Sequence, residues 1–307
     1  MNIIKRKGSI KLDRDGAKLF LIALPFIVLV FMFSYVPLFG WVYSLFNYKP
    51  GIALSNTAFV GFKNFIEVAK NWVDVSRVLK NTLGLGFLNI LVSPLPVIVA
   101  VLLNEVRYAK FKKVVQITTT IPNFISWVIV FGMTFSIFSS EGLLNSVLLK
   151  MNLIISPANI IGNPDIVWQF QTALSIWKGL GWNCIIYLAA IACIDEELYG
   201  AAKVDGAGRF RCMWHITVPE LMPTFVVLLL LSISNILGNG FEQYFVFRNS
   251  MVQDNIEVLD LYVYRLGIVT NQYSYAITIG MLKSVVSIIL LFAANNIAKK
   301  IRGQSII

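Results

Sequence analysis

Residues 19–46 read LFLIALPFIVLVFMFSYVPLFGWVYSLF, a run of 28 residues without a charged side chain. A helix needs about 20 predominantly apolar residues to cross the hydrocarbon core of a bilayer. A cleaved signal peptide has a shorter apolar core, roughly 7–15 residues, followed soon by a small-residue cleavage site. The run therefore predicts an uncleaved first transmembrane span.

Further apolar runs follow the first one along the chain. They are predicted as spans at 79–103, 114–138, 167–192, 219–246 and 274–297. Hydrophobic residues make up 57% of the 307 residues and charged residues 14%, whereas soluble domains are about half apolar and a quarter charged. The sequence predicts an all-α integral membrane protein with six transmembrane helices. Pro94, Pro96 and Pro122 are expected to interrupt the second and third spans.

Basic residues mark one side of the predicted membrane. The segments 1–18, 107–113, 193–218 and 299–307 hold 16 of the 26 Lys and Arg residues, and seven of the 16 Asp and Glu residues fall in the alternate loops. Because positively charged loops stay in the cytoplasm, both termini are predicted to be cytoplasmic. The chain then divides into a basic N-terminal segment 1–18, a transmembrane domain 19–298 and a tail 299–307. The net charge of +10 lies beside the spans, which favours contact with the membrane surface over nucleic acid.

The segment between the fourth and fifth spans, 195–219, reads DEELYGAAKVDGAGRFRCMWHITVP. Asp195 is a plausible N-cap for a short helix. Gly206 or Gly208 would end that helix in a left-handed C-cap. A second short helix is expected next, and Pro219 would open the fifth span. The segment is either a compact knob that passes a push from a partner protein into the spans or an ordinary loop.

The same segment resembles the EAA loop of permeases of the binding-protein-dependent, MetI-like superfamily of ABC importers. That loop reads Glu-Ala-Ala, three residues, Gly, nine residues, Ile-x-Leu-Pro, and 200–219 follows this spacing. In the family the loop is a coupling helix that docks into a cleft of the ATPase subunit. The resemblance assigns ATPase coupling to Leu198, Gly200, Ala201, Ala202, Asp205, Gly206, Ile216 and Pro219.

Position 200 departs from the family pattern. The family's glutamate falls on Gly200, so an ion pair with the ATPase is either missing or rerouted. Glu196 or Glu197, one helical turn earlier, would be the substitute. Glycine inside a helix also costs about 1 kcal/mol relative to alanine.

The resemblance covers essentially the whole chain and is greatest to sugar permeases of the LplB type. The matching stretches are 61–65, 240–244, 262–267, 273–276 and 283–285. It implies an ATP-driven importer that carries a carbohydrate, most simply an oligosaccharide, across the bacterial cytoplasmic membrane. The implied partners are a second permease, two ATPase subunits and an extracytoplasmic substrate-binding lipoprotein. The resemblance implies that the second permease has a different sequence. The residues themselves leave a homodimer open.

Polar and aromatic side chains inside the spans are candidates for the solute pathway. Charged groups in apolar spans are costly and usually face a cavity or a partner, and flat aromatic rings stack on sugar faces. The candidates are Lys178, Trp177, Trp182, Asn239, Glu242, Gln243, Tyr244 and Lys283. Pairing with a neighbouring helix is the alternative for Lys283, and tryptophans also populate membrane interfaces without a ligand.

The sequence lacks the phosphate-binding motif G-x-x-x-x-G-K-[ST]. The chain is therefore predicted to have no ATPase activity and no cofactor of its own, with ATP and Mg²⁺ bound by the partner ATPase. Two alternatives come from other classes. An ion-coupled secondary transporter predicts acidic residues deep in the spans, whereas nearly all acids here lie in loops. A non-transporting membrane scaffold would not need the spacing of a docking loop.

Overall fold

The computed structural model describes residues 14–302, where helices are joined by loops and turns and one isolated bridge links Phe46 to Phe59. Residues 1–13 of the predicted N-terminal segment and 303–307 of the predicted tail lie outside the described residues. The α-helices are α1 (Arg14–Val30), α2 (Lys63–Lys70), α3 (Trp72–Leu91), α4 (Leu95–Glu105), α5 (Ala109–Thr120), α6 (Trp127–Phe138), α7 (Leu143–Lys150), α8 (Val167–Ala192), α9 (Glu196–Val204), α10 (Arg209–Cys212), α11 (Val218–Ser234), α12 (Phe241–Phe247), α13 (Gln253–Ile256), α14 (Leu259–Tyr264) and α15 (Tyr273–Arg302). Shorter π-helical turns lie at Phe31–Tyr35, Met213–Thr217 and Arg265–Val269, and 3-10 helices at Val36–Leu45, Leu54–Asn56 and Ile121–Phe124.

Within the described residues, six helical stretches are long and apolar enough to cross a membrane, as the sequence predicts. They are Gly16–Leu45, Trp72–Glu105, Trp127–Lys150, Val167–Ala192, Arg209–Ser234 and Tyr273–Asn296. The predicted interruptions at Pro94 and Pro122 are confirmed. The second span breaks between α3 and α4, where Pro94 precedes the new helix, and Pro122 lies in the 3-10 turn Ile121–Phe124. Proline cannot donate a helical hydrogen bond and clashes with the preceding turn.

Two predicted boundaries differ from the structure. The predicted third span, 114–138, runs across the break between α5 and α6, and the long apolar stretch is Trp127–Lys150 instead. The predicted fifth span, 219–246, is interrupted: α11 ends at Ser234, and Gly240, with a φ of +85° outside the helical region, precedes the next helix. Residues 241–247 form the separate helix α12. Apolar composition alone does not reveal these turns.

Helix α8 lies at the centre of the bundle. It packs against α3, α4, α5 and α11, and α15 packs against α11 and the 3-10 helix Val36–Leu45. In contrast, the apolar side chains of α1 from Leu19 to Val30 are largely exposed. An apolar surface of this extent is what lipid contact requires.

The two ends of the bundle carry different loops. At one end Arg209 Nη2 lies 2.9 Å from Glu105 Oε2, so the loops after α4 and after α8 are neighbours. At the other end Arg77 of α3 contacts Asp254 and Glu257. The sequence predicts the loops beside Glu105 and Arg209 to be cytoplasmic and residues 74–77 and 254–265 to be external. In the structure the members of each set lie at the same end of the bundle.

Candidate functional site

Helix α9 is closed at both ends by local hydrogen bonds. The Asp195 side chain accepts a bond of 2.9 Å from the Glu197 backbone N–H, so Asp195 is the N-cap that the sequence predicts. At the other end Gly206 adopts a φ of +74°. Its N–H donates to Lys203 O (3.1 Å), and the Ala207 N–H donates to Ala202 O (2.8 Å). These two bonds form a Schellman motif, which ends the helix at Gly206.

The surface of α9 is open. Val204 is 88% exposed and Leu198 45% exposed. A Cβ at Gly200 would meet no atom within 4 Å, so a glutamate side chain at this position would fit the chain itself. An exposed apolar patch on a short, capped helix has the form of a protein contact. The Gly200 departure is thus not forced by the fold of this subunit.

Both neighbours of α9 are membrane-length helices. Only residues 193–195 separate it from α8, and after 205–208 the chain enters one continuous helical stretch, Arg209–Ser234. The expected second short helix is present as α10, and Pro219 lies in the first turn of α11, but the two helices are joined without a break. A π-helical turn at Met213–Thr217 joins α10 to α11 and accommodates Pro219, whose missing N–H would otherwise break the ladder of hydrogen bonds.

Side-chain bonds tie α9 to this continuous helix. Tyr199 Oη and Thr217 Oγ1 are 2.9 Å apart, and Thr217 is buried. Ile216 and Pro219 lie on the π-turn and at the start of α11, next to this bond. Helix α9 is therefore linked to α8 by a connection of three residues and to the continuous helix by the Tyr199–Thr217 hydrogen bond.

A cavity of about 480 Å³ lies between α8, α11 and the break of the second span. Its polar lining consists of Asn89, Ser93, Ser175, Asn183, Tyr187, Ser232 and Asn235. The lining holds no charged side chain. Among the described residues, the Ser93 hydroxyl is buried without a hydrogen-bond partner. Hydroxyls and amides on an otherwise apolar wall are suited to the hydroxyl groups of a sugar.

The residues predicted to line a solute pathway are not among those lining this cavity. Asn239 donates to Thr82 O (2.5 Å), and the buried Gln243 donates to the backbone and side chain of Gln171 (2.9 and 2.8 Å). Tyr244 is in the core, and Glu242 is exposed. These four belong to the packing around α12.

The remaining pathway candidates lie on other surfaces. Lys283 pairs with Asp260, which was the alternative for that residue. Trp177 is 43% exposed. Lys178 and Trp182 contact the segment between α5 and α6. Contact of these residues with a solute stays a prediction.

The structure also shows polar residues that the sequence reasoning missed. Asn89, Ser93 and Asn183 lie inside apolar spans, and an uncharged polar residue there was the only signal available. Serine and asparagine are common enough in spans that this signal does not single out a site. Their convergence depends on the break between α3 and α4, where the chain turns the two halves of the span around Ser93.

A charged cluster fixes the opposite end of the bundle. Glu257, with a side chain only 7% exposed, accepts from Arg265 Nε (2.5 Å) and from Arg77 Nη2 (3.3 Å). The hydrogen bond to Glu257 raises the pKa of Arg265, so its guanidinium stays charged. Asn81 donates to the carbonyl groups of Asp254 and Glu257 (2.7 and 3.2 Å). The cluster holds the 253–265 segment against α3.

Comparison with known proteins places the chain among transport proteins. The profile of the family described as "binding-protein-dependent transport system inner membrane component" matches residues 92–303. Protein LplB of Bacillus subtilis (strain 168) is 41% identical over 92% of this chain and 88% of its own length. The polygalacturonan/rhamnogalacturonan transport system permease protein YteP of the same organism is 39% identical, over 94% and 89%.

Two solved structures share the fold. A chain of a bacterial ABC transporter involved in the import of the acidic polysaccharide alginate superposes with a TM-score of 0.83 and 31% identity, over 94% of this chain and 97% of that chain. A chain of the bacterial alginate ABC transporter in complex with an alginate pentasaccharide-bound periplasmic protein gives a TM-score of 0.84 and 30% identity, over 95% and 98%.

Proposed function

The chain belongs to the family of binding-protein-dependent transport system inner membrane components, and from this premise we propose that it imports an acidic oligosaccharide. It is a multi-pass permease subunit of an ATP-driven carbohydrate importer in the bacterial cytoplasmic membrane. Both termini and α9 face the cytoplasm in this proposal. This membrane orientation follows from the positive-inside rule, because the segments predicted to be cytoplasmic, which include α9, hold 16 of the 26 Lys and Arg residues.

The geometry of α9 is the observation that supports ATP coupling most directly. Leu198, Gly200, Ala201, Ala202, Asp205 and Gly206 lie on or directly after one capped, exposed helix, and Ile216 and Pro219 lie where the next helix starts. We expect this helix to dock into a cleft of an ATPase subunit. Closure of the ATPases on ATP would push α9 and, through the short connections, move α8 and α11. This chain then needs no ATP or Mg²⁺ site of its own.

Apolar contacts carry the docking in this proposal. Val204 and Leu198 are exposed, while position 200 has no side chain. Burial of apolar surface contributes roughly 25 cal/mol per Å². An aliphatic contact of this kind replaces the ion pair that a glutamate at position 200 would make.

The solute class rests on the relatives and on the cavity. One similar protein belongs to a polygalacturonan/rhamnogalacturonan transport system, and another to an importer of the acidic polysaccharide alginate. In this chain the cavity presents amide and hydroxyl groups from three spans, at the depth where the second span breaks. The proposed partners are a second permease of different sequence, two ATPase subunits and an extracytoplasmic binding lipoprotein that delivers the oligosaccharide.

A matched pair of charge insertions tests the docking role of α9. Val204→Glu places a charge on α9, and Val73→Glu places one at an equally exposed position (82%) at the opposite end of the bundle. We expect Val204→Glu to reduce copurification of the ATPase subunits at least about tenfold, since desolvating one unpaired charge costs several kcal/mol. Val73→Glu should leave the complex intact. Equal recovery of ATPase with both variants would contradict the docking role.

Uptake by the complete transporter in proteoliposomes tests the solute. The vesicles contain both permeases and the ATPases, ATP is enclosed on the ATPase side, and the binding protein is added on the other side. We expect labelled oligogalacturonides of two to five residues to be transported, and neutral arabino-oligosaccharides of equal length to be transported poorly. Equal transport of the two, or transport of neither, would refute the proposed acidic solute.

A further inference from the structure

One face of α8 contacts the segment between α5 and α6, where the predicted third span is interrupted. Lys178, Gly181 and Trp182 are spaced i, i+3 and i+4, so they lie on one side of the helix. All three contact the segment 119–125, which contains the end of α5 and the 3-10 turn before α6. We call these three residues with 119–125 the α8 joint.

Lys178 donates hydrogen bonds to the carbonyl groups of the segment that follows α5. Its Nζ donates to Pro122 O (3.1 Å), Asn123 O (2.7 Å) and Ile125 O (2.7 Å). A lysine ammonium has three donors, and a helix end leaves carbonyl groups without an intrahelical partner. The ammonium also lies 5.5 Å from the centre of the Trp127 ring, at the start of α6. One side chain therefore contacts both sides of the break.

Gly181 and Trp182 complete the contact. A Cβ at Gly181 would lie 2.3 Å from the Thr119 carbonyl group, so α8 approaches the α5 backbone at a distance that only glycine permits. Trp182 packs edge to face on Phe124, with the ring centroids 5.7 Å apart. The joint is tight because a helix backbone, an ammonium and an aromatic ring all contact the same few residues.

The joint occupies a position from which it can transmit motion. Helix α8 is continuous from Val167 to Ala192 and ends three residues before α9 starts. Helices α5 and α6 are separated by the 3-10 turn Ile121–Phe124 and do not form one continuous helix, so a side chain that contacts both of their ends adds a direct connection between them. Lys178 supplies that connection, because it bonds to Ile125 just before α6 and to Pro122 just after α5.

We propose that the α8 joint carries the movement of α9 to the α5–α6 break, and that Lys178 is the positioning residue that couples the two. The proposal rests on the proposed function, because it needs α9 to be driven by ATP. It also gives Lys178 and Trp182 a role different from solute contact. The three donors of Lys178 are already used within the chain, which leaves none for a solute carboxylate.

Substitutions at Lys178 separate coupling from folding. Lys178→Met keeps a linear side chain without its charge, and Lys178→Arg keeps the charge and donors. Lys150→Met makes the same replacement at an exposed lysine of α7, outside the joint. We expect Lys178→Met to hydrolyse ATP while transporting at least about tenfold less oligosaccharide per ATP, because it loses three charge-assisted hydrogen bonds. Lys178→Arg should restore most of that ratio, and Lys150→Met should match the unaltered protein.

An unchanged ratio of transport to ATP hydrolysis in Lys178→Met would overturn the proposal. Failure of the unaltered transporter to import the oligosaccharide would instead overturn the proposed function, so the two failures are distinguishable. A Lys178→Met complex that loses ATPase activity and transport equally would also contradict a coupling role. The comparison uses complexes purified with all subunits, so that assembly is verified before each assay.

A cross-link tests the joint without altering Lys178. Phe124→Cys and Trp182→Cys are introduced together in a variant whose Cys184, Cys193 and Cys212 are replaced by serine or alanine. A short, reducible bifunctional thiol reagent then links α8 to the 3-10 turn. If the joint moves as one body, transport by the cross-linked protein equals transport after reduction. If the cross-link blocks transport and reduction restores it, the two elements slide past each other and the proposal is wrong.

Discussion

Glutamine in place of Glu257 isolates the contribution of the charged cluster at the end of the bundle away from α9. Glu257 is nearly buried, and its two oxygens accept bonds from Arg77 and Arg265. A hydrogen bond to a charged group contributes about 1.5–3 kcal/mol. The arginine side chains are 31% and 34% exposed, so they regain water when the carboxylate is lost, which reduces the cost. Glutamine keeps the volume and one acceptor oxygen. We therefore expect Glu257→Gln to lower the free energy of unfolding by about 2–3 kcal/mol.

The assay is the thermal unfolding of the purified complex in detergent, followed by far-UV circular dichroism. With a shift of roughly 2–4 °C per kcal/mol, the midpoint should fall by about 5–10 °C. The matched control is Glu67→Gln, because Glu67 pairs with Lys63 at 4.0 Å in an exposed position, where a pair contributes at most about 1 kcal/mol. If Glu257→Gln unfolds at the same temperature as Glu67→Gln, the cluster does not hold the 253–265 segment as argued.

Three further predictions concern α9, the joint and the cavity. Gly206→Ala should destabilise α9 by about 1 kcal/mol, because alanine is disfavoured at positive φ, and it should therefore reduce copurification of the ATPase. The neutral control is Gly208→Ala, because Gly208 has a φ of −73°. Gly181→Ala should destabilise the protein by about 1–3 kcal/mol through overlap with the α5 backbone, whereas Gly179→Ala should not, in the same melting assay. Ser93→Ala should raise the melting temperature, because it removes a buried hydroxyl that lacks a hydrogen-bond partner, and it should lower oligosaccharide uptake. Uptake equal to that of the unaltered protein would show that Ser93 is not part of the solute pathway.

The candidate coupling site could be identified from the sequence because its determinants are local. Asp195 caps α9 through a neighbour two residues away, and Gly206 ends it through a backbone angle that glycine adopts at little cost. Both follow from residue type and spacing within one short segment. The π-helical turn before Pro219 was not predicted, because the proline there suggests a helix start as readily as an accommodated interruption.

The candidate solute pathway could not be identified in this way. The sequence drew attention to Lys178, Trp182 and Gln243 because charged, aromatic and amide groups are conspicuous in apolar spans. In the structure their partners lie more than fifty residues away in sequence, in the 3-10 turn between α5 and α6 and on α8. A polar group in a span is equally consistent with a ligand and with an internal partner until its neighbours are known.

Six spans, their approximate positions and the two proline breaks follow from the sequence alone, since the bilayer imposes a length and an apolar composition on every spanning helix. The ends of the third and fifth spans, the cavity beside Ser93 and the contacts of Lys178 were decided only by the tertiary structure. The physical reason is that bilayer partitioning acts on each segment separately, whereas the pairing of polar groups depends on which helices become neighbours.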